Sequence, residues 1–297
     1  MKVSDPMNRY EIIPAPQLQA DVKFIWALEE NAKTYNRDNI FPDSYIELII
    51  NCGAPLYLET DDGGRVDMPQ VFLNGLQRKP LKLRTEGLSQ LVAMRMYPWA
   101  VNPLLNVQAN RTNEAIMPLD STWQAFGKSI YATVQHAGYE EAMYKLQEYV
   151  CDIANRPPHD LHAIRRATNQ LYASAGQVRM NELATQTALS TSQFERRFKF
   201  LTGVTPKTMA RLIRFETIRN VLIVNPLRRT ADLAQDFGYT DQAHFIHDFK
   251  AFATLTPGEF VTNNWEQWMD WRKWRQQNNS GFLYPNAIEP LYAQATA

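Results

Sequence analysis

A near-repeat in the second half of the chain constrains its fold more than any other feature. The segments Asn181–Pro206 and Ala231–Pro257 each contain an early Leu-Ala pair, a Phe followed four residues later by Phe-Lys, and a final Thr-Pro. Aromatic residues four apart lie on one face of a helix. Each copy therefore predicts a short helix, a tight turn and a second helix that packs through its aromatic face, which is a helix-turn-helix arrangement.

The second helix of each copy is expected to be buried on one side only. Phe194 and Phe198 of the first copy are predicted to point into the core. Phe245 and Phe249 occupy the same positions in the second copy. Gly238 suits the left-handed conformation that ends the preceding helix. The opposite, polar face of each second helix stays accessible, as in a helix that reads the major groove of DNA.

A single long helix is predicted between the two copies. Lys207–Val224 follows Thr205-Pro206, which supplies a capping hydroxyl and a proline at the first helical position. Its 18 residues span about 27 Å at about 1.5 Å per residue. Major-groove faces on one side of B-DNA recur roughly every 34 Å. A helix of this length is therefore suited to hold two reading units against one face of a duplex.

The net charge of the chain is zero, but the charges are unevenly distributed. Residues 1–155 contain 14 Lys and Arg against 19 Asp and Glu, a net charge of −5, and residues 156–297 contain 17 against 12, or +5. Residues 163–225 hold 10 basic and 3 acidic groups, or +7, whereas residues 226–265 hold 3 and 5, or −2. This asymmetry indicates an anionic partner for the second half, most commonly nucleic acid.

The residues near the end of the second copy follow the pattern G-[FY]-x-[DS]-x-x-x-F-x-x-x-F-[KR]-x-x-x-G-x-[ST]-P. They are Gly238, Tyr239, Asp241, Phe245, Phe249, Lys250 and Thr256-Pro257. Residues 160–260 thus resemble the DNA-binding domain of the AraC/XylS family of bacterial transcription regulators. Two residues differ from what this family usually has: His247 stands where a basic residue is usual, and Thr254 stands where the pattern has glycine.

The resemblance implies a sequence-specific transcription regulator that places two recognition helices in adjacent major grooves. Its implied partners are double-stranded DNA and RNA polymerase. The stretch FPDSYIELIINCGAPLYLE also resembles an uncharacterised β-rich domain that precedes the helix-turn-helix region in a subgroup of this family. The N-terminal part is therefore implied to bind a small-molecule signal or to dimerise.

The candidate DNA contacts lie on the two second helices. They are Ser192, Glu195, Arg196, Arg197, Lys199, Gln242, Ala243, His244, His247 and Lys250. Arg196 is suited to bind a guanine edge, with a phosphate contact or a surface ion pair as alternatives. Glu195 is expected to hold Arg196 in place. Gln242 either binds an adenine edge or caps its own helix.

Two further predictions concern charged groups in this half. Arg197, Lys199, Arg211 and Arg214 are expected to contact phosphates, which position a protein without specifying sequence. His244 and His247 have the His-x-x-His spacing of a zinc site, but only aspartates lie near them in sequence. We therefore expect both histidines to face DNA, and no metal or cofactor.

The first part of the chain is predicted to be rich in β-strands. Short runs of branched and aromatic residues are separated by turn signals; they are Tyr45–Asn51, Pro55–Glu59, Val71–Leu76, Leu81–Thr85 and Gln90–Tyr97. Two helices are expected after Asp120. The second, Tyr139–Ala154, carries one apolar stripe, which either packs on the strands or pairs with a second copy in a homodimer.

The predicted fold class is α+β: an N-terminal β-rich, barrel-like domain with flanking helices precedes an all-α domain with two helix-turn-helix units joined by a long helix. The predicted domains are residues 1–155 for sensing or dimerisation, a linker at 156–159, the AraC-type DNA-binding domain at 160–262 and a Trp-rich extension at 263–297.

Two charged residues interrupt apolar strands of the N-terminal domain, namely Glu47 and Arg95. A buried charge is costly unless it is paired. They either pair with each other, or line a pocket for an acidic or polar effector that is walled by Trp26, Tyr97 and Trp99.

Several classes of protein are disfavoured by composition. The chain has two cysteines, Cys52 and Cys151, and no run of about 18 apolar residues, so we expect a cytoplasmic protein without a membrane partner. No catalytic motif is present, and we expect no enzyme activity. The alternatives are a DNA-repair or metal-dependent enzyme that carries this DNA-binding domain. The first needs a reactive cysteine cluster, and the second is disfavoured because no histidine precedes His136.

Overall fold

The structure, a computed structural model, describes most of the chain. The described residues are 7–31, 39–113, 116–154, 161–185, 187 and 189–264. The predicted linker at 156–159 and the four tryptophans of the predicted extension lie outside them. The domain boundaries therefore stay predictions.

The N-terminal domain is built from two antiparallel sheets. The strands are β1 (Met7–Ile12), β2 (Val22–Asn31), β3 (Ile46–Asn51), β4 (Leu56–Glu59), β5 (Arg65–Asp67), β6 (Val71–Asn74), β7 (Lys82–Thr85), β8 (Leu88–Met96) and β9 (Ile116–Pro118). One sheet has the order β1-β2-β8-β3-β6-β9 and the other β5-β4-β7. The sheets do not close into a barrel. All five predicted strands are present, and β1, β2, β5 and β9 are additional.

The two faces of the large sheet bury different partners because side chains alternate along a strand. Ile49, Phe72 and Leu91 pack with Leu56 and Leu83 of the small sheet. The opposite face belongs to the larger core, which includes the helices that follow. The charged pair predicted on β3 and β8 lies on the first face, opposite each other in the register.

Among the described residues, three α-helices belong to the N-terminal part, and the other helices make up most of the second half. The helices are α1 (Val101–Leu105), α2 (Ser121–Ala137), α3 (Tyr139–Ile153), α4 (Leu161–Ala173), α5 (Met180–Thr185), α6 (Thr191–Thr202), α7 (Pro206–Val224), α8 (Thr230–Asp236) and α9 (Gln242–Ala253). A further helix begins at residue 257. We call α5 and α6 head 1, and α8 and α9 head 2. The predicted fold class is confirmed, with α7 joining the two heads.

The apolar stripe of α3 is covered within the same chain. Ala142, Met143, Leu146 and Val150 are all buried in the core that α3 shares with α2 and the large sheet. The stripe therefore packs on the strands, as one of the two alternatives predicted. A homodimer through 139–154 stays a prediction, and it would have to use a surface other than this buried stripe.

One apolar core extends from the N-terminal domain into both heads. Trp99, Phe198 and Phe249 belong to the same cluster of buried side chains. Burying a large apolar side chain contributes about 1.5–3 kcal/mol. The heads are therefore packed against the N-terminal domain and are not tethered to it by a linker alone.

Candidate nucleic-acid interface

Helix α6 of head 1 is fixed at both ends by local signals. The Gln193 backbone N–H donates to Ser190 Oγ at 3.3 Å, and the Gln193 side chain accepts from the Ser190 N–H at 3.0 Å, a capping box. Gly203 ends the helix in the left-handed conformation, with φ +85°. Phe194 and Phe198 are fully buried, with ring centroids 5.7 Å apart. The opposite side of α6 is consequently left for residues that are exposed among the described ranges.

The outer face of α6 presents four of the five candidate contacts to solvent. Ser192, Glu195, Arg196 and Lys199 are exposed. Arg197 is half-buried, and its guanidinium carbon lies 5.0 Å from the centre of the Phe200 ring.

A groove of about 380 Å³ adjoins this face of α6. Arg196, Arg197 and Phe200 line it together with residues of α4 and of the turn before α6. Phe200, which is 65 % exposed, did not enter the prediction, although it lies outside the buried Phe194–Phe198 face. Its position two residues beyond that pair would have identified it.

Helix α9 of head 2 is built in the same way. Asp241 Oδ1 accepts the His244 backbone N–H at 2.8 Å, and Gly238 adopts φ +68°, as predicted for the turn. Phe245 and Phe249 are buried. The remaining candidates face outwards; Gln242, Ala243, His244, His247 and Lys250 are all exposed.

Two of these residues have partners inside head 2. Gln242 Nε2 donates to Thr230 Oγ1 at 2.6 Å, so its side chain ties the start of α9 to the start of α8. This contact is not the predicted cap, because Asp241 caps α9. The His244 ring lies edge-on to Tyr239, with centroids 5.2 Å apart.

A zinc site at the two histidines lacks ligands. Within the described ranges no group of three or more His, Cys, Asp or Glu is arranged to hold a metal ion. The two neighbouring aspartates have other roles, because Asp241 caps α9 and Asp248 binds Arg211.

A polar cluster around the buried carboxylate of Asp248 holds head 2 on α7. Asp248 Oδ1 lies 2.8 Å from Nε and 2.6 Å from Nη2 of Arg211, while Oδ2 accepts the Tyr239 hydroxyl at 3.0 Å. Burial, and then the Asp248 carboxylate, raise the pKa of Tyr239 above its ordinary value. Phe215 of α7 packs on Phe249 with ring centroids 5.1 Å apart.

The positive charge of residues 163–225 is partly used inside the protein. Arg211 binds Asp248, and Arg214 Nη2 donates to the Gly176 carbonyl at 2.8 Å. Arg165 pairs with Asp21 at 2.5 Å. Arg211 and Arg214 thus hold helices together within the chain, and their predicted phosphate contacts stay predictions.

The predicted effector residues divide into two groups. The Arg95–Glu47 pair is confirmed, at 3.1 Å, and Trp26 lies on the same sheet face beside the small sheet. Tyr97 instead stacks on Trp99 at 4.5 Å. The Trp99 indole N–H donates to Asp21 at 2.9 Å. An effector pocket walled by these five residues stays a prediction.

Arg95 also has two acidic partners that were not predicted. Asp43 lies 2.8 Å and Glu216 of α7 lies 3.3 Å from its Nη2. Burial raises the pKa of both Glu47 and Glu216, and Asp43 raises the pKa of Glu216 further. This cluster joins the N-terminal domain to the helix between the heads.

Two family models match separate parts of the chain. Residues 183–263 match the family described as a helix-turn-helix domain, and residues 10–118 match a domain of unknown function, DUF6597. No curated protein matches the chain. Among the helices of the described residues, none is long and apolar enough to cross a membrane.

Several solved structures are similar to the chain at low identity. ToxT from Vibrio cholerae O395 is 11% identical, with a TM-score of 0.43, over 86% of this chain and 96% of its own. Unsaturated fatty acid bound ToxT from Vibrio cholerae strain SCE256 is 12% identical, with a TM-score of 0.41, over 86% and 94%. The AraC-like transcriptional activator CuxR is 11% identical, with a TM-score of 0.26, over 69% and 74%. Similarity at this level transfers no ligand or target.

Proposed function

We propose that this chain, a member of the AraC family of DNA-binding transcription regulators, inserts α6 and α9 into adjacent major grooves of duplex DNA. The observation that carries the proposal is the matched construction of the two heads. Each recognition helix has a buried aromatic side and an exposed polar side, and α7 joins them. The 19 residues of α7 span about 28 Å, close to the roughly 34 Å between groove faces.

The two heads have different roles in this proposal. Arg196 of head 1 binds a guanine edge, while Arg197 and Lys199 contact phosphates. Head 2 carries His244 and His247 on its reading face and less positive charge, so it refines position and contributes less to affinity.

The second part of the proposal is that the N-terminal domain controls DNA binding. The Arg95–Glu216 contact supports it, because a strand of that domain touches the helix between the heads. A small-molecule effector and RNA polymerase are further partners implied by the family resemblance.

The test is a gel-shift titration of the full-length protein against duplexes that it selects from a random pool. Binding is expected to weaken with salt, with a log–log slope of about −0.9 for each phosphate contacted. Arg196→Ala is expected to weaken binding by about tenfold or more, the loss of one specific base contact, and His247→Ala by less. Lys128→Ala, an exposed lysine on α2, is the control and should bind as wild type. No binding to any duplex at low salt would refute the proposal.

A further inference from the structure

We infer that five residues of the N-terminal domain, 41–45 (FPDSY), form a brace that holds the two heads in one relative orientation on DNA. The brace precedes β3 and lies against the helices of the second half. The inference rests on the proposed function and adds a determinant of specificity to it, namely the spacing between the two half-sites that the protein accepts.

The brace grips α7 through two buried charged side chains. Ser44 donates to Glu216 Oε2 from its backbone N–H at 3.1 Å and from its hydroxyl at 2.5 Å. The Pro42 carbonyl accepts from Arg219 Nη1 at 3.1 Å. Glu216 is 7 % exposed and Arg219 is 5 % exposed. These contacts hold one face of α7 over about a helical turn.

The brace also reaches the side chains behind head 2. The Phe41 ring lies edge-on to Phe260, with centroids 5.0 Å apart. Phe260 in turn lies 5.4 Å from Phe249 of α9. Successive contacts between aromatic rings therefore connect the brace to the buried side of the second recognition helix.

A third set of contacts joins the brace to the helices around head 1. The Tyr172 hydroxyl of α4 donates to the Ser44 carbonyl at 2.9 Å. The Tyr172 ring stacks on Tyr45 at 5.3 Å. Since α4 packs against α6, the brace touches the supports of both recognition helices and the helix between them.

Arg95 fixes the brace to the sheet. Its guanidinium group, on β8, binds Asp43 of the brace, Glu47 of β3 and Glu216 of α7. Removing one member of a buried ionic cluster leaves the others uncompensated, so the cluster resists separation. The positions of the two heads are consequently fixed by contacts with the N-terminal domain as well as with α7.

A braced pair of heads discriminates between half-site spacings. Inserting two base pairs between half-sites rotates one of them by about 70° around the duplex, at about 10.5 base pairs per turn. Heads held in one orientation lose the contacts of one half-site. Heads held by α7 alone adjust to the new spacing.

The experiment compares spacing penalties for the full-length protein. The probe is a duplex that wild type selects from a random pool, with and without two base pairs inserted between the footprinted half-sites. Wild type is expected to lose about tenfold or more in affinity on insertion, the value of at least one base-pair contact. The Glu216→Gln and Phe41→Ala variants are expected to lose less than about threefold in affinity on the same insertion.

The matched control is Arg165→Gln, which removes another ion pair between the N-terminal domain and the helices. Its partner is Asp21, so the brace is untouched, and the wild-type penalty is expected to persist. An unchanged penalty in both brace variants would overturn the inference. An equally reduced spacing penalty in Arg165→Gln would also overturn the inference, because any weakening of the contact between the N-terminal domain and the helices would then have the same effect.

Hydrogen exchange of the full chain gives a readout that needs no DNA. Amides of residues 242–264 are expected to exchange faster in Phe41→Ala and Glu216→Gln than in wild type and Arg165→Gln. Unchanged exchange in Glu216→Gln, which keeps an acceptor for Ser44, would overturn the brace even if Phe41→Ala fails to fold. If wild type binds no duplex, the proposed function fails, and the exchange data still decide whether the brace exists.

Discussion

The carboxylate of Asp248 connects the second recognition helix to α7, and replacing it tests how head 2 is held. Asp248 is 6 % exposed and accepts from both Arg211 and Tyr239. Asp248→Asn preserves the shape of the side chain but removes its charge. The amide retains one oxygen, so it cannot satisfy the Arg211 guanidinium and the Tyr239 hydroxyl as the carboxylate does.

The expected loss of stability follows from the burial of the pair. Hydrogen bonds to charged groups contribute about 1.5–3 kcal/mol, and removing one member of a fully buried pair costs about 3–5 kcal/mol. The Arg211 side chain is 40% exposed, so solvent screens part of the loss. We therefore expect Asp248→Asn to lower the free energy of unfolding by about 1.5–3 kcal/mol.

The assay is urea unfolding of the full-length chain, followed by circular dichroism. Asp236→Asn is the matched control, because Asp236 of head 2 also pairs with an arginine, Arg228, which precedes α8, but Asp236 is 43% exposed. An exposed pair contributes about 0–1 kcal/mol, so the control should differ little from wild type. Equal losses in the two variants would refute the argument that burial sets the cost.

Other substitutions probe the backbone, the ionic cluster and the core. Gly203→Ala and Gly238→Ala both strain a positive φ, but Gly203→Ala should lower the urea midpoint further, because its Cβ would meet the rigid carbonyl of Ala109. The pKa of Glu216 is raised in the folded chain. The stability that protonated Glu216 contributes is therefore present below the unfolded-state pKa, and it is lost as pH rises through the folded-state pKa. Glu216→Gln should therefore show a smaller gain in unfolding free energy than wild type when pH is lowered from 7 to 5. Phe194→Ala should cost about 3–5 kcal/mol in the same unfolding assay, by opening a cavity under α6.

The helices were predictable because their signals are local. Thr205 accepts the Thr208 N–H at 3.2 Å, and Pro206 begins α7, as the Thr-Pro pair predicts. Asp120 caps α2, and Gly138 separates α2 from α3. Capping residues and period-four apolar positions act within one or two turns, so a single sequence reveals them.

Some strands were not predictable, because the signals that form them are not local. Strand β1 (MNRYEI) is short and polar, and much of it is exposed. Strand β2 ends in EEN, a composition that does not indicate a strand, yet it pairs with β8 along most of its length. Strand identity there comes from hydrogen bonds to residues some 65 positions away, which local propensity does not contain.

The two helix-turn-helix units, the helix between them and the polar faces left for a partner could all be predicted from the amino-acid order. Each of these follows from periodicity and turn chemistry over fewer than 30 residues. Tertiary structure alone decided which charges are available to that partner. Arg196 stays exposed, whereas Arg211 and Arg95 are occupied by carboxylates 37 and 121 positions away, Asp248 and Glu216. A charged residue carries no local mark of its partner, because ion pairing depends on which surfaces the folded chain brings together.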